Sequence, residues 1–146
     1  MTQPTARKRI LMVDDQLDYI QPYAEALEDE DFDVTLISQV DSALEMLREG
    51  GFDVIILDML MPPSEGVHED FEDLDLRKSG GWVLSQIRED ERLRDVPIIF
   101  ITAVRDTRVR EWVEQTERAY TGRDPVILTK PVTLTQLIKI VRRVSE

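Results

Sequence analysis

A parallel α/β sheet covered by helices on both faces is the fold class this sequence predicts, and three observations predict it. Five short apolar runs rich in β-branched residues alternate with five stretches whose apolar residues recur at helical spacing. Three of those runs end abruptly in charged residues, at Asp14-Asp15, at Asp58 and at Lys130-Pro131. A chain of 146 residues can bury one real core, and no shift in composition marks a second domain. A single domain over 1–146 is therefore expected.

The first run is Ile10-Leu11-Met12-Val13, and the helix after it carries Ile20, Tyr23, Ala24 and Leu27 on one face. Pro22 lies inside that helix, where it removes a hydrogen bond and crowds the preceding turn, so a late start or a bend is expected there. Val34-Thr35-Leu36-Ile37 follows, then a helix with Val40, Ala43, Leu44 and Leu47 inward, Ser42 with Glu45 as its capping box and Gly50-Gly51 as its stop. The third run is Val54-Ile55-Ile56-Leu57. The stretch from Pro62 to Gly80 fits neither period: it is strongly acidic through Glu65, Glu69, Asp70, Glu72, Asp73 and Asp75, and loops beyond about 12–15 residues are uncommon in compact domains. Residues 63–80 are read as an acidic loop inserted between the third strand and the third helix.

That third helix shows Val83, Leu84 and Ile87. The fourth run, Ile98-Ile99-Phe100-Ile101, is entered through Pro97, and the fourth helix shows Val109, Trp112 and Val113. Val126-Ile127-Leu128 is the last run. The last helix shows Leu134, Leu137, Ile138 and Val141, with Thr133 and Gln136 placed to cap it.

Composition excludes several functions. There is no cysteine, hence no disulfide framework, thiolate metal site or cysteine nucleophile. No apolar stretch is long enough to span a bilayer and no signal-peptide pattern precedes the first strand, so a soluble, cytoplasmic protein without membrane contact is expected. A formal net charge of −12 opposes the binding of nucleic acid. Lys139, Arg142 and Arg143 are read as complementing the C-terminal end of the last helix.

If the five strands run parallel, Asp14, Asp15, Asp58, Thr102 and Lys130 converge at one edge of the sheet, where open α/β sheets bind ligands. Carboxylates about 4 Å apart repel by roughly 4 kcal/mol per pair at an effective dielectric of 20, so the cluster calls for a cation. Mg²⁺ suits hard oxygen ligands with no histidine or cysteine nearby. A carboxylate can attack phosphorus once its charge and that of the incoming group are offset. Asp58, alone at the end of a buried central run, is the best nucleophile, Asp14 and Asp15 suit a shared metal, Thr102 offers a hydroxyl and Lys130 a positive charge. Each residue also has an ordinary structural use, as a cap, a turn former or a surface charge; the joint arrangement carries the chemistry.

With those segments in hand, Ile10-Leu11-Met12-Val13-Asp14-Asp15, Asp58-Met59-Leu60-Met61-Pro62, Ile101-Thr102-Ala103 and Leu128-Thr129-Lys130-Pro131, the chain resembles the receiver domain of bacterial two-component response regulators over nearly its whole length. The resemblance implies a flavodoxin-like (βα)5 fold with strand order 2-1-3-4-5 and Asp58 as phosphoacceptor. It implies Mg²⁺ held by Asp14, Asp15, Asp58 and the Leu60 carbonyl, with Thr102 and Lys130 on the phosphoryl group and a cis peptide before Pro131. It further implies a sensor histidine kinase or histidine phosphotransfer protein as donor. A downstream protein would engage the face of the fourth helix, fifth strand and fifth helix, which could also mediate a homodimer. The chain would be a phosphoacceptor that assists its own phosphorylation and dephosphorylation, not an enzyme in its own right.

Two departures stand against that pattern. The receiver switch couples the threonine, here Thr102, to an aromatic residue three positions before the lysine, and here that position holds Ile127. The acidic insertion lies beside the phosphoacceptor and is read either as a flap limiting small phosphodonors or as a plain surface loop. Leu60 and Val104 cannot orient a hydrolytic water, which predicts a long-lived phosphorylated state, and His68 is read as a solvated loop residue. The first reading is a stand-alone phosphorylated receiver. The second is a pseudo-receiver that binds partners constitutively, favoured by Ile127. A third, an aspartate-nucleophile phosphatase, lacks the carboxylate it would need at Leu60.

Overall fold

The structure, a computed structural model, describes residues 7–59, 80–102 and 107–146, with the side chains of 80–82 and 107–109 left aside. Strands and helices alternate among the described residues: β1 (Arg9–Val13), α1 (Leu17–Asp29), β2 (Asp33–Ile37), α2 (Val40–Glu49), β3 (Val54–Asp58), α3 (Gly80–Glu89), β4 (Ile98–Thr102), α4 (Thr107–Thr121), β5 (Val126–Thr129) and α5 (Leu134–Val144). The five strands form one sheet in the order β2-β1-β3-β4-β5, and every pairing is parallel.

Side chains alternate across each strand, and because both faces are covered the central strands read as unbroken apolar runs. One face carries Leu11, Val13, Ile55, Leu57 and Phe100 and packs on α2, α3 and Val113 of α4. The other carries Ile10, Met12, Ile56, Ile99 and Ile101 and packs on α1 and α5 through Ile20, Ala24, Leu27, Leu137 and Val141. Each such side chain, when fully buried, contributes roughly 1.5–3 kcal/mol by leaving water.

Several local expectations meet a stronger tertiary influence. Of the late start or bend expected at Pro22, the late start does not occur: α1 begins at Leu17 and runs through the proline. Pro22 and Asp18 both lie on the exposed side of the helix, where water is available to a carbonyl deprived of its intrahelical partner. The capping box at Ser42 and Glu45 does not form: Gln39 is the N-cap of α2, extended and without a side-chain cap bond. Val40 is buried in the α2-side core, so packing draws the start of the helix upstream of Ser42. Gly50 does end that helix, at φ 82, in the left-handed region that favours glycine. Thr133 caps α5 as expected, accepting a hydrogen bond from the Gln136 backbone N–H at 3.0 Å. Leu134, expected inward, is exposed, and Tyr23 is only half-buried. Gly80, read as the last loop residue, opens α3.

One core feature has no periodic signature. Arg88 on α3 is buried and donates through Nε and Nη2 to the two carboxylate oxygens of Glu117 on α4, each at 2.8 Å. Its Nη1 donates to the carbonyls of Arg94 at 2.5 Å and Val96 at 2.9 Å. A single guanidinium thus ties α3, α4 and the turn that leads into β4.

Candidate functional site

The registers decide which side chains meet. Val13 lies opposite Leu57 across the β1–β3 pair, so Asp14 and Asp58 follow on adjacent strands at the same height. Asp58 pairs with Ile101 and Thr102 with Thr129, which places Thr102 and Lys130 at the same edge. Backbone bonds extend the ladder past the strands: Asp14 N–H donates to the Ile37 carbonyl at 3.1 Å, Met59 N–H to Ile101 at 3.3 Å and Lys130 N–H to Thr102 at 2.8 Å. Four of the five expected side chains are thus anchored by the sheet itself, and Asp15 follows one residue on.

Asp14, Asp58 and Thr102 are buried, at 4 %, 4 % and 5 % exposure, while Asp15 is exposed. Each of the three aspartates offers an oxygen within 4.8 Å of the others. The Lys130 ammonium lies 3.1 Å from Asp14 Oδ2 and 3.5 Å from Asp58 Oδ2. Asp14 also accepts a hydrogen bond from the Gln16 backbone N–H at 2.9 Å, which turns its second oxygen toward the start of α1. The peptide between Lys130 and Pro131 is cis, as anticipated.

The electrostatics follow from crowding. Although Asp15 is exposed as a residue, its carboxyl is pushed above the usual carboxylate range, first by partial desolvation and then by the neighbouring Asp14 charge. Burial alone would push the Lys130 ammonium down, but the Asp58 charge and the hydrogen bond and charge of Asp14 outweigh it and hold the amine above its ordinary value. Three carboxylates against one ammonium leave an excess of negative charge. Hard oxygen donors without histidine or cysteine fit a hard divalent cation such as Mg²⁺.

Ile127 is half-buried and packs against the α2-side core that contains Phe100. The Leu60 carbonyl, Val104, His68 and the 63–79 part of the acidic insertion lie outside the described residues. Sequence reasoning missed Tyr19, whose ring centroid sits 4.8 Å from the Lys130 ammonium. Tyr19 and Tyr23 are four residues apart on α1, a spacing that does bring side chains together, and this was the available signal. Their hydroxyls are 3.3 Å apart and their rings 5.6 Å apart at a 40° tilt. Burial and the adjoining Tyr19 push the Tyr23 hydroxyl up to about 12.

Residues 10–69 match the profile of the response regulator receiver domain. The chain is 27% identical to the swarming motility regulation protein RssB of Serratia marcescens over 136 residues, covering 93% of this chain and 52% of that one. It is 31% identical over 103 residues to the DNA-binding response regulator MtrA of Mycobacterium tuberculosis, covering 70% of this chain and 38% of that one. The chain belongs to the receiver domain family of response regulators. It spans about half the length, or less, of these curated relatives. In fold it is similar to the CheY-like receiver domain protein of Methanospirillum hungatei, with a TM-score of 0.75 at 18% identity over 95% of this chain and 94% of that one. It is likewise similar to the chemotaxis response regulator CheY4 of Vibrio cholerae, with a TM-score of 0.71 at 24% identity over 94% and 98% of the two chains. This receiver keeps the flavodoxin-like order 2-1-3-4-5 and its acidic pocket at the C-terminal edge of the sheet. No helix among its described residues is long and apolar enough to cross a membrane.

Proposed function

We propose that this receiver is a cytoplasmic phosphoacceptor switch, taking a phosphoryl group from a histidine of a sensor kinase or phosphotransfer protein onto Asp58. The observation that carries the reading is the pairing of a buried Asp58 at the end of a central strand with an ammonium at 3.5 Å and two further carboxylates in reach of a common cation. Asp14, Asp15 and Asp58, with the Leu60 carbonyl that the family resemblance implies, would hold Mg²⁺, and the ion would supply positive charge to offset that of an anionic carboxylate meeting an anionic phosphoryl group. An Asp58 oxygen attacks phosphorus in line, the N–P bond to the donor imidazole breaks, and the imidazole nitrogen keeps the bonding pair and takes up a proton. Lys130 leaves its carboxylate partners for a phosphoryl oxygen, and the Thr102 hydroxyl donates to another. The chain acts as acceptor and participant in its own modification, not as a catalyst that turns over an independent substrate.

The new charge would shift a two-state surface on α4, β5 and α5 toward a protein partner, and the net charge of −12 opposes direct contact of this chain with nucleic acid. Ile127 is the one observation that favours the alternative, a pseudo-receiver binding partners constitutively, because an aliphatic side chain packed at that place lacks the ring and hydroxyl of the usual coupling. Intact-protein mass spectrometry after incubation with Mg²⁺ and an acyl phosphate separates the two. One added phosphoryl group, lost on Asp58→Asn and on chelation of the metal, is the expected result. No adduct from either a small donor or a phosphorylated histidine protein would leave the constitutive module.

A further inference from the structure

Lys130 is held from two sides. On one are the carboxylates of Asp14 and Asp58; on the other is the Tyr19 ring, 4.8 Å from the ammonium to the centroid. Tyr19 is braced in turn by Tyr23, through the tilted ring pair and the hydroxyl contact of 3.3 Å. The Tyr23 hydroxyl then donates to the Val132 carbonyl, two residues beyond Lys130. The contacts close a circuit from Lys130 through both tyrosines to Val132 and back along the chain through Pro131. That circuit fastens the segment carrying Lys130 to α1.

We propose that Tyr19 and Tyr23 are positioning residues for Lys130, an aromatic clamp on α1 that keeps the ammonium at the phosphoacceptor when a bound cation has neutralised its carboxylate partners. The inference rests on the phosphoacceptor reading. A cation shared by the aspartates weakens the pull of Asp14 and Asp58 on the amine at the moment the incoming phosphoryl group needs it. The attraction of the ring face for a cation does not depend on those carboxylates and survives their neutralisation. Without it the four-carbon stem is free to swing the amine toward solvent, and an amine misplaced by an ångström is a poor electrostatic partner for the transferring group. The roles divide cleanly: Tyr19 touches the amine, while Tyr23 acts only through Tyr19 and the Val132 carbonyl.

The test uses the full chain and reads the position of Lys130 directly. A ring 4.8 Å away should displace the Lys130 ε-methylene proton resonances upfield of those of exposed lysines. The displacement should persist at saturating Mg²⁺, vanish in Tyr19→Leu and remain in Tyr19→Phe, which keeps the ring. Phosphorylation by an acyl phosphate should slow about fivefold in Tyr19→Leu, equivalent to about 1 kcal/mol at 1.36 kcal/mol per decade, with an unchanged Mg²⁺ midpoint, and Tyr19→Phe should restore most of the rate. Tyr23→Phe removes only a hydroxyl; it should give a smaller loss and a partial return of the resonances, and it carries the test if Tyr19→Leu fails to fold. Wild-type resonances that return to ordinary values with Mg²⁺ would overturn the clamp, as would a Tyr19→Leu variant of unaltered rate, or one whose loss is matched by weakened Mg²⁺ binding. If the wild type takes up no phosphoryl group, the phosphoacceptor reading falls, while the resonances of the three variants still decide whether the clamp exists.

Discussion

Arg88 and Glu117 define an experiment whose size and asymmetry follow from geometry. Both side chains are nearly inaccessible, at 2% and 5% exposure, and the guanidinium uses three nitrogens on four acceptors across two helices and a turn. Removing one member of such a pair leaves the other charged and dry, at a cost of about 3–5 kcal/mol. At about 3 °C per kcal/mol for a domain of this size, either single substitution should lower Tm by about 10 °C. Glu117→Leu leaves Arg88 two carbonyl acceptors, whereas Arg88→Met leaves Glu117 without its two guanidinium donors, so Arg88→Met should be the worse of the two. The double substitution Arg88→Met with Glu117→Leu removes both charges and should recover most of either loss, a large coupling between sites in contact. Urea titrations of the four proteins, followed by far-UV circular dichroism, measure this with free energies extrapolated to water. Additive losses in the cycle, or a destabilisation below about 1 kcal/mol for Arg88→Met, would refute the argument that the pair is a desolvated unit.

Three further outcomes follow from single features. Thr133→Ala removes the cap of α5 and should cost about 1 kcal/mol, or about 3 °C in Tm, with Thr133→Asn restoring it; equal stability of all three would deny the cap a role. Mg²⁺ at tenfold its dissociation constant should stabilise the protein by about 1.4 kcal/mol at pH 7, and chelation should reverse this in differential scanning fluorimetry. The raised Asp15 carboxyl means that the folded apo-protein binds more protons than the unfolded chain above pH 3.8, so this group makes stability fall as pH rises through its folded value. Asp15→Asn should flatten that slope, and an unchanged pH profile would count against partial desolvation and the Asp14 charge as its cause.

The sequence of this chain makes legible whatever repeats with a period or sits at the end of one. Leu11, Val13, Leu57 and Phe100 announce themselves as strand interior because both faces of this sheet are covered. Asp14, Asp58, Thr102 and Lys130 then fall together because a parallel register makes the ends of strands into neighbours. Ser42 misled because cap preference is worth about 1 kcal/mol and the burial of Val40 upstream is worth more. Arg88 and Glu117 were invisible for a different reason: 29 residues separate them, and nothing in local pattern distinguishes an arginine that finds a buried partner from one that faces water. Tyr19 was read past because Lys130, 111 residues away in the chain, is what gives its position meaning.

The charge at the site also bears on the donor, through the sign of a salt effect. A bound divalent cation would offset the pocket's three carboxylates and one amine, which leaves the field of a chain of net charge −12 to act on the donor. A small anionic phosphodonor approaches this field from a distance at which only solvent screens it, so the repulsion reduces encounter rather than the chemical step. Raising ionic strength from about 0.01 M to about 0.15 M shortens the Debye length from about 30 Å to about 8 Å. The second-order rate with an acyl phosphate, measured at saturating Mg²⁺, should therefore rise with added salt. A phosphorylated histidine protein that docks through a complementary basic face should show the opposite, its rate falling as screening removes the attraction. Opposite slopes would mean that the acidic surface selects macromolecular donors over small ones. A small-donor rate that is flat or falls with salt would show that the global charge plays no part in access to Asp58, and that any selection between donors lies in contacts at the docked face.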